Sequence, residues 1–455
     1  MNSYEQSIEK IISKYSKVYD EMTVRSREVF KRASQVLPGG VVYHARFFHP
    51  YPLYIVRAKD TFVWDVDGNR YDDYWMGHGT HILGHAPDFI IDRVYEISKH
   101  GTHLGFENIY AVEYAELLTR IVPNCKMIRF TNSGTEANMY AVRLARAYTR
   151  RRYVVKIRGG WHGGLDQLHT AVSPPFSGPE SAGLPEDLIK YTVSVSYNDL
   201  EEMERILRMC DVAAIIIEPV PGAGGCIEPV DGYLKGVREL ADRYGAVLIF
   251  DEVITGFRLS LGGAQEYFNV GADIVTMGKI VGGGMPGAGA FCGREELMAL
   301  LDHTKHPEPR SRSFHGGTFT GNPVTIMAGF TLIDYLSRDR ERYSSFNEMW
   351  GTVAKEIDRL CEEYGRPCWT TNVGSMIGIH FTKSKPRSVE DAYYLRYSSK
   401  VYEAFHLFMR INRILYLSEK MPHLLPSMVH SKEQAKKFTE TFAKFLDELK
   451  LCVST

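Results

Sequence analysis

The chain has 455 residues, 44% hydrophobic and 24% charged; this ordinary globular usage excludes a disordered or collagen-like chain and allows a core that needs no metal or disulfide to hold it. Its 54 lysines and arginines against 55 acidic residues leave a net charge of −1, so no overall basic field points to nucleic acid or an anionic membrane. Seven scattered cysteines, none in C-x-x-C, predict neither a disulfide framework nor a zinc site and suit a reducing cytoplasmic compartment.

The N-terminal stretch is charged throughout and lacks the apolar run of a secretory signal. No stretch of 18 uninterrupted apolar residues offers a membrane span. Ile8, Ile11, Ile12, Tyr15, Val18 and Tyr19 recur at helical spacing and predict a helix within 4–35, stopped by Pro38-Gly39-Gly40. Residues 53–75 read as a meander whose strands flank the turn Asp67-Gly68. Beyond residue 120, short apolar runs alternate with amphipathic ones. Strands are predicted at 127–131, 153–157, 213–220, 246–253, 273–277 and 288–292, and helices at 135–150, 199–209, 232–244 and 322–336. The runs IIIEPV and VLIFDEV are apolar up to an acidic end, as strands buried on both faces of a parallel sheet read. Residues 165–198, rich in Pro, Ser and Gly, read as a long loop suited to a lid. From 331 the chain turns to charged amphipathic helices with one strand, 374–381. The expected class is therefore α/β. A large domain, 86–330, holds a mostly parallel central sheet flanked by helices. A small α+β domain is assembled from both termini, 1–85 (a helix and a meander) and 331–455.

Ligands of parallel α/β sheets collect at the carboxyl ends of the strands, so the residues there carry the chemistry. After 127–131 comes Asn132-Ser133-Gly134-Thr135-Glu136, opening a helix whose N-terminal N–H groups suit a phosphate. After the run 246–250 comes Asp251-Glu252, and after 273–277 comes Gly278-Lys279 in an apolar, glycine-rich stretch. A desolvated lysine has a lowered pKa and a nucleophilic amine. Alone, each has a bland explanation: an N-cap, a strand-terminating acid, a loop lysine. Together they are the parts that hold pyridoxal phosphate: a phosphate cradle, an acid for the pyridine nitrogen and an amine for the aldehyde. The glycine clusters at 222–225 and 282–289 match neither a dinucleotide nor a P-loop fingerprint. His78, His81 and His85 lie among helix-breaking glycines with no nearby carboxylate, so no metal site is expected.

The motifs N-S-G-T-E-A-N (132–138), G-G-W-H-G-G (159–164), I-I-E-P-V (216–220), F-D-E-V-I-T-G-F-R (250–258), G-K-I-V-G-G-G-M-P (278–286) and G-T-F-T-G-N-P (317–323) resemble the class III, fold-type I pyridoxal-phosphate aminotransferases over residues 28–440. P-G-G-V-x-x-x-x-R (38–46), G-L-P-E-D-L and Y-N-D-L (197–200) are most similar to the glutamate-1-semialdehyde 2,1-aminomutase branch. F-H-P-Y-P-L (48–53) and R-F-T-N-S-G-T-E-A-N (129–138) also resemble β-amino-acid aminotransferases.

The resemblance implies a role for each matching residue. Lys279 is the imine-forming lysine and proton shuttle, and Asp251 pairs with the pyridinium nitrogen. Ser133, Gly134 and Thr135 hold the phosphate. Trp161 stacks on one ring face, where the family commonly has Tyr, and Val253 packs on the other. Glu218 lies near the phenolic side. His162 is a supporting or a catalytic histidine. Thr318 reaches the phosphate of a neighbouring subunit, which implies a homodimer with a shared site. Arg46 grips the substrate carboxylate bidentately. Three positions depart from the aminomutase pattern: Val42-Tyr43-His44 replaces small polar residues, His78 stands where the family has Trp, and Pro422 stands near a late acidic position. All three would face the substrate, with Tyr43 and His78 lining its side. The expected activity is therefore amino-group transfer on a small amino or keto acid, resembling conversion of glutamate-1-semialdehyde to 5-aminolevulinate. The alternatives are an intermolecular aminotransferase with a 2-oxo acid acceptor, or an epimerase on the same scaffold.

Overall fold

The computed structural model describes residues 3–365, 367–416 and 418–453. The chain divides into two compact units. One comprises 88–345 and 387–393. The other comprises 1–87, 346–386 and 394–455.

The first unit is built on a seven-stranded sheet. In chain order its strands are β1 (Met127–Thr131), β2 (Tyr153–Ile157), β3 (Thr192–Val195), β4 (Val212–Ile217), β5 (Val247–Asp251), β6 (Ile274–Gly278) and β7 (Gly289–Gly293). Their spatial order is β1-β7-β6-β5-β4-β2-β3. The pairs β6–β5, β5–β4, β4–β2 and β2–β3 are parallel, and β7 runs antiparallel to both its neighbours. β4, β5 and β6 are buried along their whole length, which is why they read as mostly apolar runs. Helix Gly134–Thr149 turns Ala137, Ala141, Leu144 and Ala145 to the core, the spacing of a helical apolar stripe. These pack with Val154, Ile216, Ile249, Ile274 and Phe291 of the strands.

The stretch 165–198 is more ordered than its composition predicts. It contains a short helix, Glu186–Ile189, and the edge strand β3. T-V-S-V is only half-buried over most of its length, so it has neither the length nor the apolarity of an internal strand.

The second unit holds a four-stranded sheet of Ile55–Lys59, Phe62–Asp65, Arg70–Asp73 and Ile414–Leu415, and a three-stranded sheet of Trp369–Val373, Met376–His380 and His423–Leu424. The predicted strand at 374–381 is thus half of a hairpin. The N-terminal helix is two helices, Ser3–Met22 and Val24–Ala33, parted at Thr23. Tyr15, Tyr19, Trp350, Phe405, Phe438, Phe442 and Phe445 fill one core with both ends of the chain.

The expectation that the cysteines stay apart is corrected by the fold. Cys125 is joined to Cys292, and Cys361 to Cys368. The first pair is made by pairing of β1 with β7, which sets Cys292 opposite Ile128. The second closes the exit of helix Glu341–Glu363 onto the strand that follows. Among the described residues no helix is long and apolar enough to cross a membrane.

Candidate active site

The site of the first unit forms where β1, β4, β5 and β6 end. Past β1, Ser133 adopts extended backbone and its Oγ accepts from the N–H of Glu136 at 3.2 Å, capping the helix. The Glu136 carboxylate folds back to the N–H of Asn132 at 2.9 Å, so the two side chains form a reciprocal cap. The first-turn N–H groups of Gly134 and Thr135 have no acceptor within the helix and face its positive end. A Cβ on Gly134 would lie 2.6 Å from Val253 Cγ2, so only glycine lets the helix start this close to the turn after β5. Gly163, at φ +85°, packs against Thr135 in the same way.

Asp251 closes β5 and is buried. Its Oδ2 accepts from Asn138 Nδ2 at 2.7 Å and meets His162 Nδ1 at 2.8 Å, and its Oδ1 accepts from the N–H of Val253 at 3.1 Å. Asn138 is fixed in turn, its Oδ1 accepting from Thr276 Oγ1 at 2.6 Å and its amide reaching the His162 carbonyl at 3.2 Å. Burial pulls the His162 pKa down, against the opposing pull of Asp251. The imidazole is then neutral near pH 7, with Nδ1–H assigned as the donor to Asp251 by that contact. His162 Nε2 is buried and has no partner. Glu218, one residue past β4, accepts from the N–H groups of Trp161 at 2.8 Å and Gly222 at 3.2 Å. Burial, and after it the charge of Asp251, push its pKa up to about 8.

Lys279 follows β6 in left-handed backbone, φ +50°, a conformation that costs a side-chain-bearing residue energy and marks functional sites. The β5–β6 register pairs Asp251 with Thr276, so Lys279 leaves the sheet beside Asp251. Loss of hydration lowers the amine's pKa, Asp251 and Glu218 oppose the shift, and Arg258 adds to it.

Two further residues escaped the sequence reading. Buried Lys156, in β2, donates to the carbonyls of Gly160 (2.9 Å), Leu168 (3.1 Å) and Thr170 (2.8 Å). It thereby pins the loop that carries Trp161 and His162. Its one sequence signal is a lysine inside the apolar strand Y-V-V-K-I. Buried Arg258 ends the motif D-E-V-I-T-G-F-R, but nothing in the sequence says that it faces Lys279 electrostatically.

Ser133, Gly134, Thr135, Trp161, His162, Glu218, Asp251, Val253 and Lys279 thus come together. Thr318 lies on an exposed turn, and a Cβ on the preceding Gly317 would meet Asn132 Nδ2 at 2.9 Å, beside the helix cap. The substrate-side candidates belong to the second unit. Arg46 ends the short turn His44–Arg46 and is exposed. The Tyr43 ring lies 6.1 Å from that of His78, which stacks edge-on with Trp75 at 4.6 Å. His78 is also in left-handed backbone, φ +61°.

Comparison with known proteins agrees with this geometry. The model of the family described as aminotransferase class-III matches residues 43–446. A glutamate-1-semialdehyde 2,1-aminomutase of Methanothrix thermoacetophila is 40% identical over 92% of this chain and 96% of its own length. An omega-transaminase from Sphaerobacter thermophilus is 31% identical with a TM-score of 0.85, covering 93% of this chain and 97% of its own. A β-phenylalanine aminotransferase from Variovorax paradoxus is 28% identical with a TM-score of 0.86, covering 97% of each. With a family model spanning most of its length and an acid, an amine and a helix terminus at neighbouring strand ends, the chain belongs to the class III aminotransferases.

Proposed function

We propose that this pyridoxal-phosphate-dependent class III enzyme isomerises glutamate-1-semialdehyde to 5-aminolevulinate. The observation that carries the assignment to amino-group chemistry is the meeting of Asp251 and Lys279 at the ends of adjacent parallel strands. The aminomutase reading adds the 40% identity to the Methanothrix enzyme over nearly its full length.

The residues present fit the cofactor. The N-terminus of helix Gly134–Thr149, with Ser133 and Thr135, suits its phosphate. Asp251, oriented by three donors, supplies a negative charge for the ring nitrogen. Trp161 and Val253 offer an aromatic and an aliphatic face, and Glu218 lies toward the phenolic side. When bound, pyridoxal phosphate supplies an electron sink for the amino-bearing carbon.

This chain's own residues do the rest. Asn138 and His162 hold Asp251 in one orientation. Lys279, whose pKa desolvation lowers, supplies the amine that takes the proton from one carbon of the substrate and returns it to another atom. Glu218, half-protonated near pH 8, accepts or gives a proton without leaving its two N–H donors. Arg46 is proposed to hold the substrate carboxylate.

A homodimer sharing its sites belongs to the same proposal. Thr318 shares its exposed turn with Phe319, and Phe314 is exposed nearby in the chain; Phe106, Ile109 and Val112, also exposed, flank Asn108, whose Nδ2 donates to the carbonyl of Gly321. Such a patch suits burial against a second copy. A cytoplasmic setting completes the proposal.

The departures at Tyr43, His78 and Pro422 favour a second reading, an intermolecular aminotransferase acting on a β- or other amino acid with a 2-oxo acid acceptor. The deciding experiment supplies the aminated cofactor form of the enzyme with glutamate-1-semialdehyde and with a panel of 2-oxo and β-keto acids. Return of the aldehyde spectrum with the semialdehyde and formation of 5-aminolevulinate support the aminomutase. Return only with oxo acids replaces it by the transaminase, and α-proton exchange without any keto product replaces both by an epimerase.

A further inference from the structure

From residue 346 onward the chain builds the second unit, except for Arg387–Tyr393, which belongs to the first. Helix Val389–Tyr394 starts there, and Ser388 Oγ caps it by accepting from the N–H of Asp391 at 3.1 Å. Val389 is 1% exposed. A Cβ on Gly159 would lie 2.3 Å from its Cγ1, and one on Gly224 would lie 2.6 Å from its Cγ2. Each methyl group of Val389 therefore packs on the bare backbone of a different loop, the one that follows β2 and the one that follows β4.

Those two loops meet at Glu218. Trp161, two residues after Gly159, donates its N–H to Glu218 Oε1 at 2.8 Å, and Gly222, two residues before Gly224, donates to Oε2 at 3.2 Å. The edge of the helix is tied to the same surroundings. Glu390 Oε1 accepts from Arg158 Nε at 2.7 Å, and Arg158 also donates to the carbonyl of Ser194 at 3.0 Å and to Glu202 at 2.6 Å. Asn198 Nδ2 joins the carbonyls of Glu228 (2.9 Å) and Arg387 (2.8 Å). Neither glycine has a side chain with which to hold its own loop. Valine branches at Cβ and is stiff, so its two methyl groups act as a rigid spacer. In a close-packed interior a displaced methyl group moves the backbone that touches it.

We propose that Val389 is a positioning residue for the cofactor site. It sets the separation of loops 158–161 and 221–225, and through them the two N–H groups that hold Glu218 and the backbone that aims Trp161. Glu390 braces the first of these loops through Arg158. The proposal rests on the pyridoxal-phosphate reading above. It adds a determinant supplied by the C-terminal part of the chain, which acts through Trp161 and Glu218 and not on the reacting atoms.

The test compares Val389→Ala, which removes both spacing methyl groups, with Val389→Thr, which keeps the branched shape and buries a hydroxyl. Both should lose stability in urea, the first through a cavity and the second through an unsatisfied polar group. Only the alanine variant should lose position. In the cofactor-free protein, amide hydrogen exchange in 158–161 and 221–225 should be about tenfold faster in Val389→Ala and within about threefold of wild type in Val389→Thr. The Kd for pyridoxal phosphate, from absorbance titration of the same proteins, should rise about tenfold in Val389→Ala and less than about threefold in Val389→Thr. A role in stability alone would move both variants together. Glu390→Gln, at a partly exposed position, keeps the test decisive where Val389→Ala does not fold: it should speed exchange in 158–161 by about threefold and leave 221–225 unchanged. Wild-type exchange or cofactor affinity in Val389→Ala, equal losses in the two Val389 variants, or unchanged exchange in folded Glu390→Gln would overturn the proposal and leave the assignment of Lys279 standing. A wild-type protein that takes up no pyridoxal phosphate would overturn the functional reading itself, and the proposal with it.

Discussion

The strand-end cluster of one unit and a cavity of the other pair their buried polar groups differently. At the strand ends of the first unit, Asp251, Asn138, Thr276, Glu218 and Lys156 are each tied to specific donors or acceptors within 3.2 Å. In the second unit the cavity groups Arg410, His406, Tyr416 and Trp75 keep buried atoms without partners. A network closed but for His162 Nε2 holds a reactive constellation in one geometry. The contrast implies different responses to substitution.

The largest effect is expected where the network meets the chemistry. Asp251→Asn keeps the size of the side chain and removes its charge, and should lower kcat by about 10²–10³-fold, the range for losing one preorganised electrostatic group. Steady-state turnover under saturating cofactor measures it. Near-normal turnover would mean that the network is merely structural.

Next comes a pair of substitutions that sets one unit against the other. Lys156→Met leaves three buried carbonyls without their donor and should destabilise the protein by about 3 kcal/mol. Arg410→Met removes an unpaired buried cation in favour of an apolar side chain and should change stability by no more than about 1 kcal/mol. Urea unfolding of the two cofactor-free variants compares them. Equal losses would erase the distinction between closed and open burial.

The smallest effect is a pH dependence. Glu218 keeps a proton in the folded state up to about pH 8, whereas the unfolded chain loses it near pH 4.5. Between these values the folded state binds more protons, so stability falls as pH rises. Glu218→Gln should flatten this slope in thermal melts of the cofactor-free protein from pH 5 to 8. An unchanged slope would remove Glu218 as its source.

Much of the first unit was legible because its information is contiguous. β4 and β5 are apolar runs up to an acidic end and β6 is apolar but for Thr276, and the site residues end or follow each. What stayed hidden depends on distant partners. Lys156 looks like a misplaced charge until the carbonyls of 160, 168 and 170 surround it. Cys125 and Cys292 become neighbours only when β7 returns antiparallel to β1. β3 is a polar edge strand within a Pro- and Gly-rich stretch. The cavity of the second unit draws on residues from 46 to 85 and from 406 to 416, and no local pattern joins them.

The most direct test of the assignment is chemical attachment. Holoenzyme reduced with borohydride and digested should carry the mass of the reduced cofactor on the peptide containing Lys279, and Lys279→Ala should carry none while losing about 10³-fold or more of its turnover. Cofactor mass on another lysine, or on none, would contradict the assignment of Lys279 and Asp251 as the centre of the reaction.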